Sequence, residues 1–123
     1  MHEFGIAQML VENIKSHASK NNASKVLQVD VEIGEFTFVN FDQIEFCYNT
    51  LTPNSVLEDS TIVLTLKKGT VQCDRCGFNG EVKTIDEDGV HLGVLSFMCP
   101  ECEGYTRIIE GQDFTIKRIK MIA

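Results

Sequence analysis

Met1, His2 and Glu3 open the chain with donors that can grip a metal. The α-amine of Met1, the backbone nitrogen of His2 and the His2 imidazole can close two fused chelate rings on one ion. Nitrogens in a tetragonal or planar set suit Ni(II) or Cu(II) better than zinc, calcium or magnesium. A side chain as bulky as that of His2 disfavours removal of an initiator methionine, so the natural terminus is expected to keep this grip. A second constellation lies far along the chain. Cys73-Asp74-Arg75-Cys76-Gly77 and Cys99-Pro100-Glu101-Cys102 are two C-x-x-C knuckles, each presenting two thiolates to one side. Together they supply the four soft ligands of a closed tetrahedral zinc site. Their separation is a little longer than is common for such pairs, and a hairpin-like segment between them can absorb the excess. With every position filled by sulfur there is no room for a catalytic water, so this metal is read as structural.

The other candidates have plainer readings. Cys47 falls near the buried flank of a helix and is expected to be a small core residue, as free cysteines usually are. His17 lies near the end of the first helix, where a cationic imidazole suits the helix dipole. His91 lies between the knuckles, where an auxiliary or alternative ligand role is conceivable. The acidic run Asp86-Glu87-Asp88-Gly89 reads as a solvated turn, because an EF-hand needs more ligand positions than it offers.

Composition narrows the class. The five cysteines, with no basic start and no apolar signal core at the amino terminus, point to metal ligation in a reducing compartment, hence the cytoplasm. No apolar stretch approaches the roughly 20 residues of a membrane helix. A formal net charge of −7 argues against a nucleic-acid surface, which normally needs a basic stripe. There is no catalytic zinc pattern, phosphate-binding glycine loop or nucleophile–base pair, so an enzyme is not expected.

The elements that must position these groups follow from periodicity. From Glu3 to about Lys20, the residues Phe4, Ala7, Leu10, Val11, Ile14 and Ala18 recur at helical spacing, and Asn21-Asn22 is a stop signal. Leu27, Val29, Val31 and Ile33 alternate with polar residues as a half-buried strand ending at Gly34. Asn40-Phe41-Asp42-Gln43 has the form of a capping box, with Asn40 accepting and Gln43 reaching back. Behind it Phe41, Ile44, Tyr48 and Leu51 mark the buried face of a second helix, which Thr52-Pro53-Asn54 ends. A second strand has Ile62, Leu64 and Leu66 inward, and a third runs from Gln112 to Met121. The third strand's phase slips between Ile116 and Ile119, which predicts a bulge or bend.

The fold class is therefore α/β, more strictly α+β: a small three-stranded sheet with two helices, plus an inserted four-cysteine, zinc-ribbon-like module. The boundaries read as 1–69 and 110–123 for the α/β domain that carries the amino-terminal metal grip and 70–109 for the zinc module. Few large apolar residues hold the module (Phe78, Val82, Ile85, Val90, Leu92, Val94, Leu95 and Phe97), so metal must contribute much of its folding free energy, on the order of 10–16 kcal/mol in structural zinc sites.

A Met-His-Glu terminus opening a helix, followed late in the chain by Cys-x-x-Cys and Cys-Pro-x-Cys, resembles the HypA family of hydrogenase nickel-incorporation proteins. The resemblance covers essentially the whole chain. It implies a nickel metallochaperone, not an enzyme, that takes Ni(II) at the His2 end and delivers it to the large subunit of a NiFe-hydrogenase. It also implies a HypB-type GTPase partner, and the assembly expected is a monomer or weak homodimer. By position, the Met1 amine and His2 match the family's nickel ligands, Glu3 its neighbouring acid, and Cys73, Cys76, Cys99 and Cys102 its zinc ligands. Two departures stand out. Family members often carry tryptophan where this chain has Phe4, which preserves packing. The second knuckle has Glu103 before Gly104 where glycine usually follows directly, which predicts a reshaped turn. Two other readings stay open: a zinc-ribbon adaptor that only binds proteins, and an iron redox module, since both knuckles also resemble those of rubredoxin.

Overall fold

A computed structural model describes residues 2–87 and 90–123, the stretch 83–96 as backbone alone. By contact the chain divides into two units. The first comprises Met1–Ile33, Phe38–Thr65 and Phe114–Ala123, and the second Gly34–Thr37 and Leu66–Asp113.

In the first unit, helix α1 (Glu3–Lys20) buries Ile6, Ala7, Leu10, Val11, Ile14 and Ala18. Phe4 is 51% exposed and does not join them. On the helical wheel it lies beyond Val11 at the flank of the stripe, and Ile6 takes the terminal place. The helix closes in a Schellman motif: Ala23 and Asn22 donate to the Ala18 and Ser19 carbonyls, with Asn22 left-handed at φ 54°. Strand β1 (Lys25–Gly34) buries Val26, Val29, Val31 and Ile33. Leu27, expected inside, is exposed, because the pairing with β8 (Phe114–Ile122) steps from Val26 to Gln28 and leaves Leu27 in a bulge. The predicted slip in the last strand is a second bulge: Asp30 faces Arg118 and Val31 faces Ile116, so Lys117 is the extra residue.

Helix α2 (Phe41–Leu51) starts at Asn40, whose side chain accepts the Gln43 N–H at 3.0 Å. Ile44 and Tyr48 are fully buried, Phe41 and Leu51 pack against the core, and the Tyr48 hydroxyl meets Ser60 Oγ at 2.6 Å. Cys47, expected in the core, is half-buried. Strand β2 (Thr61–Lys67) turns Ile62 and Leu64 inward, but Leu66 is exposed, since the cluster it would join ends at Leu64. The sheet order is β2-β1-β8, the expected three strands with two helices. No helix among the described residues is long and apolar enough to cross a membrane.

The second unit is built from β3 (Thr70–Cys73), β4 (Asn79–Gly80), β5 (Lys83–Glu87), β6 (Val90–Ser96) and β7 (Thr106–Glu110). Its sheets are β4-β3-β7 and the hairpin β5-β6, which occupies the interval between the knuckles. Its apolar centre includes a residue from far upstream: Phe36, in a 3-10 turn at Glu35–Thr37, is 6% exposed. The Phe36 ring stands edge-on to Phe97 with centroids 5.1 Å apart. A side chain at Gly69 would strike that ring, and one at Gly111 would come within 2.9 Å of it, so both walls of the slot must be glycine.

Candidate metal centre

The two knuckles are folded by the same pair of backbone bonds. Cys73 accepts the Gly77 N–H at 2.9 Å and donates to the Phe78 carbonyl at 2.8 Å; Cys99 accepts the Glu103 N–H at 2.9 Å and donates to the Gly104 carbonyl at 2.8 Å. Each turn needs one left-handed residue, Gly77 at φ 82° and Glu103 at φ 63°. The reshaped second turn predicted from sequence is therefore not found. Glu103 adopts the glycine conformation, at a cost of about 1–2 kcal/mol for a residue with a Cβ. Antiparallel pairing of β3 with β7 sets Cys73 opposite Thr106, which lays the start of the first knuckle beside the end of the second.

The four sulfurs converge. Cys73 and Cys102 lie 3.5 Å apart, as do Cys76 and Cys99, and all four lie within 4.8 Å of one another. Sulfurs held tetrahedrally at roughly 2.3 Å from a zinc ion sit about 3.8 Å apart, so the cluster has the dimensions of a tetrathiolate cage. Cys73 and Cys99 are buried, Cys102 is half-buried and Cys76 is exposed. N–H groups of Cys76 and Arg75 donated to Cys73 hold its thiol down at about 7, against desolvation. The Phe78 N–H draws Cys76 down, but Cys99, desolvation and the other thiols prevail and push it up to about 12. Cys102 is also raised: the Gly104 N–H favours its thiolate, and desolvation and Cys73 oppose it. Cys73 gives up its proton easily while Cys76 and Cys102 resist, because thiolates this close repel. A central divalent cation removes that conflict. Arg107 braces the first knuckle from β7, donating from Nε to Asp74 at 3.0 Å and from Nη2 to the Gln72 side chain at 2.9 Å. Nothing in the sequence singles out Arg107, whose role depends on strand register. The His91 side chain and residues Asp88 and Gly89 lie outside what is described.

At the other end of the chain, Met1 lies outside the described residues. His2 begins α1 through its carbonyl, which accepts the Ile6 N–H at 2.8 Å, and its imidazole makes no capping bond. Glu3 has a partner that the sequence did not reveal: its carboxylate accepts the Asn40 N–H at 3.0 Å. That is the donor Gln43 was expected to satisfy, so the capping box of α2 is completed from α1 instead. This bond, the first of several favourable interactions, holds the Glu3 carboxyl below the ordinary glutamate value. His17 is exposed in the last turn of α1.

Comparison with known proteins agrees along the whole chain. The family model described as hydrogenase/urease nickel incorporation, metallochaperone, HypA matches residues 1–121. A hydrogenase maturation factor HypA from Methanothermobacter thermautotrophicus is 34% identical over 98% of this chain and 97% of its own. The protein of that name from Aquifex aeolicus is 32% identical over 98% and 97%. The solution structure of the Ni metallochaperone HypA from Helicobacter pylori superposes with a TM-score of 0.69 at 22% identity, covering 100% of this chain and 99% of that one, a likeness of fold. With two helices, small sheets and a four-cysteine cluster in that fold, the chain belongs to the HypA family of hydrogenase/urease nickel-incorporation metallochaperones.

Proposed function

We propose that this chain binds Ni(II) through the Met1 amine, the His2 backbone nitrogen and the His2 imidazole, with Glu3 as the neighbouring acid, and passes it to the large subunit of a NiFe-hydrogenase. In this reading a zinc ion held by Cys73, Cys76, Cys99 and Cys102 is structural. A HypB-type GTPase works with the chain in the cytoplasm, and the chain itself performs no catalysis. The observation that carries the reading is at His2, an exposed histidine that starts a helix through its carbonyl and keeps its imidazole out of the cap. A helix amino terminus disfavours a cation by only about 0.3–1 kcal/mol at an exposed site. The anionic Glu3 beside it opposes that effect. Chelation requires loss of protons, so acid weakens binding and each donor can be displaced in turn by a recipient's ligands.

The test is calorimetric titration of nickel into zinc-loaded protein with an authentic Met1, beside His2→Ala. One nickel per chain, lost in the variant while zinc stays bound, supports a carrier with two separate metal sites. Undiminished nickel binding in His2→Ala would return the case to a zinc-ribbon adaptor, and a red, iron-loaded protein to a redox module.

A further inference from the structure

The outer edge of β8 has no strand beside it among the described residues, since the sheet order is β2-β1-β8. A cleft of about 240 Å³ is lined by residues of this strand together with His17 and Asn21, from the last turn of α1 and the residue after it. Its lining takes in both the half-buried Ile116, Ile119 and Met121 and the exposed Lys117 and Arg118. Consecutive residues of a strand face alternate sides of the sheet, so a lining that takes in both sets is what a cleft along the strand's edge would have. The bulge at Lys117 contributes directly: in a strand that otherwise alternates, Lys117 and Arg118 are consecutive exposed residues.

The cations of β8 are also unspent. In the second unit Lys67 pairs with Glu110, Lys68 with Glu35 and Arg107 with Asp74. Lys117, Arg118 and Lys120 have no ion pair among the described residues. Three cations without an ion pair on one strand are a local concentration of positive charge in a chain of net charge −7, with Asp30 of β1 opposite Arg118 in the register. They would oppose one another if two copies paired edge to edge, which argues against a second copy as the occupant.

We propose that the free edge of β8 receives an extended, acidic segment of a partner protein, added as a further strand. Main-chain bonds to the unpaired edge would supply affinity. Alternating side chains would set carboxylates against Lys117, Arg118 and Lys120 and apolar groups against Ile116, Ile119 and Met121. A polypeptide fits better than a nucleic acid, because only a polypeptide uses the strand's backbone and the rest of the chain repels a long polyanion. The inference does not depend on how nickel is held.

The probe is a blocked, fluorescently labelled ten-residue peptide of alternating glutamate and valine, titrated into zinc-loaded full-length protein and read by anisotropy. Binding should be saturable and weakened by salt, and should fall about tenfold or more with Lys117→Glu/Arg118→Glu. Amide shifts should be confined to residues 116–121 and Asn21, and the peptide with glutamine for glutamate should bind more weakly. Circular dichroism checks that the variant folds, and Lys117→Gln/Arg118→Gln replaces it if it does not. Unchanged affinity in the variant, amide shifts elsewhere, or a DNA duplex that displaces the peptide at lower charge-equivalent concentration would overturn the proposal. So would self-association of the free protein that disappears on charge reversal.

Discussion

Replacing Phe36 with alanine should damage the metal-binding unit and spare the other. The ring is 6% exposed, packs edge-on to Phe97 at 5.1 Å, and fills a slot walled by Gly69 and Gly111. Truncating a buried phenylalanine costs about 3–5 kcal/mol, cavity included. Of that, about 0.5–1.5 kcal/mol belongs to the aromatic pair. Glycine walls have no side chains to swing into the void, which places the expected loss in the upper half of the range. Such a loss is a large part of the 5–15 kcal/mol that holds a typical domain together. The measurement is native-state amide exchange on zinc-loaded protein. Protection should fall across Leu66–Asp113 and remain in Val29, Val31 and the buried face of α1. A double-mutant cycle makes the reasoning specific. Gly69→Ala alone should destabilise, because its Cβ strikes the Phe36 ring, but should cost far less in the Phe36→Ala background, where the methyl enters the cavity. A loss below about 1 kcal/mol for Phe36→Ala, equal loss in both units, or simple additivity in the cycle would refute the account.

Cys76→Ser removes one thiolate from the cage, and a serine hydroxyl does not ionise to replace it. Zinc content should fall and the amide dispersion of the second unit collapse, while helical circular dichroism from α1 and α2 persists; retained zinc with an intact spectrum would count against the structural role. The Glu3–Asn40 bond should be sensitive to acid. Because the Glu3 carboxyl sits below its ordinary value of 4.5, the stabilisation is complete above that pH and is lost as pH falls through the lower, folded value. The Asn40 amide resonance should therefore titrate with a midpoint under 4.5, and Glu3→Gln should abolish the titration. A midpoint at or above 4.5 would show that the bond is absent in solution.

What could be read from sequence divides by the range of the interaction. The knuckles, the Asn40 cap and the Asn21-Asn22 stop depend on residues a few positions apart, and all three are where the sequence put them. The bulge in β8 was legible because Lys117 and Arg118 interrupt an apolar alternation. The bulge in β1 was not, because Val26 and Leu27 are both apolar and either phase is self-consistent; the choice belongs to the pairing with β8. Leu66 lies on the correct face of its strand, and only the extent of the core decides that nothing covers it. Glu3 and Asn40 are 37 positions apart, and no local rule connects them. Phe36 sits in a short turn between a strand and a helix, without periodicity to show that it belongs with the cysteines.

The pairing of β1 with β8 has a consequence for how the chain is made. Lys25 faces Ile122, so the central strand of the sheet waits for a neighbour translated almost a hundred positions later. Closing so long a loop is entropically costly, and contacts this distant in sequence slow folding. During synthesis the apolar row Val26, Val29, Val31 and Ile33 emerges early with one edge open, and stays open until the last strand leaves the ribosome. In that interval the nascent chain is most prone to aggregation, and synonymous changes that delay translation between β2 and β8 should lower its soluble yield without altering the finished protein.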